Sequence, residues 1–394
     1  MTPVWLTVAF VVAVAPVSLA KAPPEPELDA HLLTIGQYRL PVRIPRGYRL
    51  EVLNVELKRP RMLTFAPDGS LWAGSSAGVI YRLEPPYHTA SVVAELPDYP
   101  HSVAFRGDWV YAATTGALLR TRWADRPLAS FETVAELPGG RGHNSRTVGV
   151  GPDGRIYLSL GISGNCSDEW LDDSYPEARR RGGVMVLDET ASPVRWRGFA
   201  SGLRNPVGFD WQPGTGVMYA SNNGPDHLGF EQPAEQFARL EADSFHGMPW
   251  FQWIDGKAMP DACIGQPAPR PATDVVPPAA TFPARSAPLG VAFAGEKDLG
   301  GQLADDAVVA IHGSWGTAPD GDPAGDPASR RVPRLARVRF TDGVAVRVDT
   351  LVDGFQLSDG RRWARPAGVA FGPDGALYFS SDGGIHGLFR LSRR

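Results

Sequence analysis

Short apolar or alternating runs recur along the chain, each ended by a tight turn and followed by a second such run. The copies read PRMLTFAPDGSLWAGS, PHSVAFRGDWVYAAT, SRTVGVGPDGRIYLSLG, NPVGFDWQPGTGVMYAS, PLGVAFAG with AVVAIHGSW, and RPAGVAFGPDGALYFSS. Runs this short and rich in Phe, Trp, Tyr and Val read as strands. Pro-Asp-Gly between them supplies a preset φ, a side chain that bonds its own backbone, and a residue tolerant of positive φ. Each copy is therefore a hairpin. One hairpin cannot bury its own face, so the copies must stack. No stretch carries a long apolar period of the helical kind.

Aligned on Phe65, Phe105, Val150, Trp211, Phe293 and Phe371, there are six copies, at intervals of 40, 45, 61, 82 and 78 residues. A repeat that begins near 40 residues with Gly-rich hairpins predicts an all-β fold, a six-bladed β-propeller of four-stranded blades. The alternative is a β-sandwich with coincidental hairpins, against which six near-identical phrases argue. The longer intervals place insertions at 162–182, 227–285 and 316–332, where a substrate face is built.

Composition changes this picture little. The chain has 394 residues, 43% hydrophobic and 21% charged, with 44 Gly and 37 Pro, as suits a loop-rich all-β protein. The net charge of −4 argues against nucleic acid as the main partner. The first twenty residues stand apart. Val4 to Ala20 is almost wholly apolar, and Ser18-Leu19-Ala20 precedes Lys21 as a cleavage site would. Residues 1–20 read as a signal peptide, 21–39 as a Pro-rich leader and 40–394 as the propeller, which predicts a periplasmic or secreted protein. The alternative is an uncleaved anchor. The run is shorter than the ~20 residues of a membrane span and contains Pro16, so stable insertion is not expected. Cys166 and Cys263, in long loops of an exported chain, suggest one disulfide, with two free thiols as the alternative. Neither a haem-attachment motif, nor paired zinc spacing, nor a nucleotide-binding Gly motif occurs.

The candidate chemistry lies at or just before each inner strand: Arg61, His101, His143 with Arg146, Arg204 with Asn205, Ser286, and Arg365. In a propeller these positions converge on the axis. Arg334, in RLARVRF, adds a further cation. Cations crowded into one cavity are costly unless an anion fills it, and Arg suits bidentate carboxylate recognition. The expected guest is a compact polyanion.

These residues carry a resemblance. GHNSRTVGVGPDGRIYLSLG, FASGLRNPVGFDWQPGTGVMYASNNGPDHLG, IHGSWG and RPAGVAFGPDGALYFSSDGG resemble the glucose/sorbosone dehydrogenase family, closest to its sorbosone-type branch. Its members are soluble six-bladed propellers that use pyrroloquinoline quinone (PQQ) with Ca²⁺. The resemblance implies a sugar or sugar-aldehyde dehydrogenase. His143 would be the general base that takes a hydroxyl proton as hydride leaves for the quinone. Arg204 would be catalytic and, with Arg61, Asn205, Arg334 and Arg365, would hold the cofactor. Gly224, Pro225 and Asp226 would hold the metal. The implied partners are a small sugar and a separate electron acceptor, a soluble cytochrome or quinone. Where glucose-type members carry an acidic residue that tunes the base, this chain has Ile162. Arg334 stands where the family has lysine, and NNGPD departs from the sorbosone-type pattern. His101 and His312 are the next candidates for the base. Two other classes stay open, a Ca²⁺-dependent lactonase and a non-catalytic binding propeller. The mostly Arg and His inner positions count against the first.

Overall fold

The computed structural model describes residues 27–123, 128 and 130–394. The apolar run 4–20 and its cleavage site lie outside them. Among the described residues, no helix is long and apolar enough to cross a membrane.

The hairpins form as their turns dictate. In the first, the Asp68 carboxylate accepts from the Ser70 amide at 2.9 Å, Gly69 takes φ +81°, and the Ala66 amide closes the turn on the Ser70 carbonyl at 2.8 Å. Asp153 and Asp374 make the same contact two residues on, at 3.1 Å each. Each hairpin gains two more antiparallel strands outward. The innermost strands of the six blades are Pro60–Phe65, Ser102–Arg106, Arg146–Val150, Pro206–Trp211, Pro288–Phe293 and Ala364–Phe371. The last blade takes its outer strand from near the N-terminus: Tyr48–Asn54 pairs with Gly387–Arg393 and closes the ring. The six-bladed, all-β propeller read from the repeat is the observed architecture.

Inner strands of neighbouring blades approach until backbones nearly touch. A Cβ on Gly368 would lie 2.3 Å from the Arg61 carbonyl, so only glycine fits there. Hydroxyls stitch the same seam: Ser102 donates to the Arg146 carbonyl at 2.9 Å and Ser380 to that of Arg61 at 2.7 Å. Further out, edge-to-face rings fill the space between blades, Phe65 on Tyr378 at 5.1 Å and Trp72 on Phe105 at 5.2 Å. Such pairs contribute about 0.5–1.5 kcal/mol each beyond their buried area. A cavity of about 460 Å³ lies on the axis, lined by Phe65, Phe105, Trp211, Phe293 and Phe371 at the ends of the inner strands.

The described part of the Pro-rich leader is built into the fold. From Leu28 it is ordered as a hairpin, Leu28–Ile35 with Tyr38–Pro45. The physical reason is alternation. Leu40, Val42 and Ile44 all point one way and are buried against Leu351, Val352 and Phe355 of blade five and Trp363 of blade six. The Arg43 and Asp353 backbones pair, and the two side chains form an ion pair.

Candidate functional site

The inner strand begins, and the second strand ends, on one face of the ring. That face gathers the chemistry, and it divides into two clusters.

The first lies at blades three to five. His143 sits in the segment entering the inner strand of blade three. Its Nδ1–H donates to the Ile162 carbonyl at 2.5 Å, because a carbonyl can only accept. Nε2 is then the ring's lone-pair atom. The partner of Nδ1 is thus the backbone carbonyl of Ile162 and not a side chain. Burial, and after it the Arg204 charge, push His143 down to about 4, so the imidazole is neutral at pH 7. Two buried arginines fix the segment. Arg146 donates to the carbonyls of His143 (2.7 Å), Ser145 (2.9 Å) and Pro138 (3.1 Å), and Arg181 donates to Gly161 at 2.9 Å. Arg146 thus engages backbone through both Nη atoms, while its Nε has no partner within the protein. Gly161 lets the site close: a Cβ there would be 2.7 Å from both His143 Cβ and Asn205 Oδ1.

Arg204 is 7% exposed and reaches Asn165 Oδ1 at 2.7 Å and Asp226 Oδ2 at 3.3 Å. Burial pulls its guanidinium down, and Asp226 and Glu235 oppose that. Arg285 holds Asp226 from the other side. Glu235, fully buried, accepts from the Gly224 amide at 2.5 Å, and its burial pushes it up to about 7.

The second cluster joins blades one, five and six. Asp382 binds the Arg61 guanidinium with one oxygen and accepts from His312 Nε2 at 2.7 Å with the other. Burial alone would raise Asp382, but Arg61 and His312 hold it well below the carboxylate range. Burial pushes His312 down to about 4, so its contact with Asp382 is a neutral hydrogen bond at pH 7. Arg365 donates to the carbonyls of His312 at 3.0 Å and Gly313 at 2.8 Å. His101, fully buried, binds Tyr99 through Nδ1 at 2.7 Å.

Several buried polar atoms of the two clusters lack a partner within the protein: the Nε of Arg61, Arg146, Arg204 and Arg285, His101 Nε2, and one acceptor, Asn205 Oδ1. Unpaired buried donors on cationic groups fit a bound anion.

Of the sequence-predicted residues, Arg61, His143, Arg204, Asn205 and Arg365 come to this face as expected. Arg334 differs. It opens the third strand of blade five, and its Nη1 donates at 2.9 Å to Thr350 on the outermost strand. The position lies two strands out from the innermost strand of its blade, at the end that pairs with Ile311. The metal set Gly224, Pro225 and Asp226 differs too. The Pro225 carbonyl and the Asp226 carboxylate bind Arg285, so as it stands the set does not fit a calcium ion.

Sequence reasoning missed Asp382, Asn165, Glu235 and Arg285. A signal existed for two of them. Asp226 and Asp382 both fall where a second strand ends, in NNGPD and SSDGG, and Arg285 directly precedes Ser286.

The insertions flank this face. Cys166 and Cys263 form the expected disulfide, with Cα atoms 5.5 Å apart, tying the blade-three loop to the insertion of blade four. His227 lies beside it, its Nδ1 3.5 Å from Cys166 Sγ and its Nε2 3.0 Å from Asp261.

No protein-family profile matches the chain. An uncharacterized protein of Borreliella burgdorferi is 22% identical over 358 residues, which cover 87% of this chain and 89% of that protein. Among solved structures, the calcium structure of a Trichoderma reesei carbohydrate-active enzyme of family AA12 matches with a TM-score of 0.72 at 18% identity, over 92% of this chain and 99% of that one. The holo PQQ domain of Coprinopsis cinerea pyranose dehydrogenase matches with 0.70 at 18% identity, over 91% and 98%. The apo soluble aldose sugar dehydrogenase of Escherichia coli matches with 0.63 at 18% identity, over 88% and 100%. At these identities the likeness establishes the propeller fold.

Proposed function

We propose that this protein is a PQQ-dependent oxidoreductase acting on a sugar or sugar aldehyde, of the aldose or sorbosone type. One observation carries the reading: a neutral histidine with Nε2 as its free lone pair stands beside buried guanidinium groups whose Nε donors have no protein partner. The fold neighbours, which include a PQQ domain of a pyranose dehydrogenase and an aldose sugar dehydrogenase, support it.

The residues fit a small tricarboxylate. Arg61, Arg204 and Arg365 supply positive charge, and the unpaired Nε atoms and His101 Nε2 supply donors. Bound there, the quinone would supply a two-electron acceptor for hydride. The chain does the rest. His143 Nε2 accepts the proton of the sugar hydroxyl, and the Ile162 carbonyl fixes the tautomer that makes this possible. Arg204 places fixed positive charge where negative charge develops. Arg146 and Arg181 hold the segment that carries His143. Calcium is given no part through the NNGPD loop, since Arg285 occupies its oxygens. A separate cytochrome or quinone would take the electrons onward. The protein acts in the periplasm or outside the cell, with the mature chain starting near Lys21, which intact-mass analysis of native protein tests.

The deciding experiment is reconstitution with PQQ followed by dye reduction across aldoses and sugar aldehydes. Substrate-dependent reduction is expected. Bound PQQ without turnover on any sugar would leave a binding propeller, and no PQQ binding would sink the assignment.

A further inference from the structure

Loop 222–229, NNGPDHLG, turns four oxygens onto one guanidinium. Arg285 Nη1 donates to the Pro225 carbonyl at 2.7 Å and to Asp226 Oδ1. Its Nη2 donates to the Asp226 carbonyl at 2.5 Å and to the Gly229 carbonyl. From the far side, Arg204 reaches Asp226 Oδ2. Carbonyl and carboxylate oxygens converging on a point are the donor set of a hard divalent cation, which takes them at about 2.3–2.6 Å. A guanidinium bonded to each of them fills that space, and like charges repel too strongly to share it. The placement is built in. Arg285 is 8% exposed, and its backbone sits at φ +69°, in the left-handed region that residues with a Cβ rarely adopt.

We propose that Arg285 is the resident cation of this site, in the role a calcium ion would otherwise have, so that the quinone cofactor is held without a metal. The proposal rests on the cofactor reading above. Its chemistry is consistent with that role. A guanidinium is always charged and presents donors in a fixed fork that matches carboxylates. Two guanidinium groups, Arg204 and Arg285, share the single Asp226 carboxylate. With the neighbouring Glu235 protonated, one positive charge is left over for an anion. Unlike a bound ion, this charge cannot be removed by a chelator.

The test is calorimetric titration of PQQ into the purified full chain, first after exhaustive chelation and again with excess Ca²⁺. The expected affinities agree. An ion linked to cofactor binding would instead change affinity about 5–150-fold. A chelated protein that loses PQQ affinity and recovers it with Ca²⁺ overturns the proposal and leaves the cofactor reading standing. A protein that binds PQQ in neither condition removes the cofactor reading itself. Arg285→Ala opens the converging oxygens. This variant is expected to bind Ca²⁺ without PQQ present, and to bind PQQ only when Ca²⁺ is added. An Arg285→Ala protein that binds PQQ as wild type does, with no ion, also overturns the proposal. Should that variant fail to fold, the wild-type chelation comparison decides alone.

Discussion

The six inner strands have two ends, and the ends are built differently. At one end the blades present Phe65, Phe105, Val150, Trp211, Phe293 and Phe371, five of them aromatic, around an axial cavity. At the other they present Arg61, His101, His143, Arg204, Ser286 and Arg365, whose Arg and His groups have different partners in each blade. Arg61 lies one residue into the inner strand of blade one, and Arg204 lies two residues before that of blade four. Arg61 pairs with Asp382 and lies against Tyr99, while Arg204 shares Asp226 with Arg285 and also holds Asn165. The difference separates two jobs of one repeat. Positions that repeat bury surface between blades. Positions that break the repeat gather the charged and polar groups of the mouth.

The sharpest way to break this comparison is at His143. His143→Ala should lower turnover by about 10²–10⁴, the usual contribution of a positioned base, while PQQ affinity and thermal unfolding stay near wild type. Turnover at saturating PQQ is the measurement. Near-normal turnover would make His143 a structural histidine and move the search to His101 or His312.

The aromatic end predicts the reverse. Phe293 is 6% exposed and packs on Tyr219 at 5.5 Å and Phe340 at 5.4 Å. Phe293→Ala should cost about 3–5 kcal/mol of stability, the usual penalty for emptying such a site. PQQ affinity of the folded fraction should hold. Denaturant unfolding checks the first and calorimetry the second. A large loss of cofactor affinity would mean that the two ends are coupled.

The same division explains what could be read from the sequence. Six hairpin phrases gave the blade count, because each turn and each close glycine contact is dictated locally. The placement of His143, Arg204 and Arg365 at one mouth was legible because each lies at or near the start of an inner strand. The strand that closes the ring was not. Tyr48–Asn54 has no hairpin partner near it in sequence, and it pairs with residues more than 300 positions away. Arg285 was hidden for a related reason: its role depends on a loop 60 residues earlier, folded back by blade four. Arg334 lies on the third strand of its blade, a placement that its offset in the sequence does not show.

The smallest expected effect lies between the two ends, at Glu235, a buried carboxyl that belongs to the mouth yet acts on stability. It accepts from the Gly224 amide, and burial raises it from 4.5 to about 7. Between those values the folded state holds a proton that the unfolded state has released. Stability from this group therefore falls as pH rises from about 4.5 through 7, and the full penalty is present above 7. Glu235→Gln cannot ionise and keeps an oxygen for the Gly224 amide. It should match wild type near pH 5 and exceed it at pH 8 by an amount on the order of 1–3 kcal/mol. Urea unfolding of both proteins at the two pH values gives the comparison. If the difference is the same at both, Glu235 is ionised throughout and Arg204 and Arg285 neutralise it. The mouth would then carry no spare positive charge, and an anionic guest would lose its main attraction.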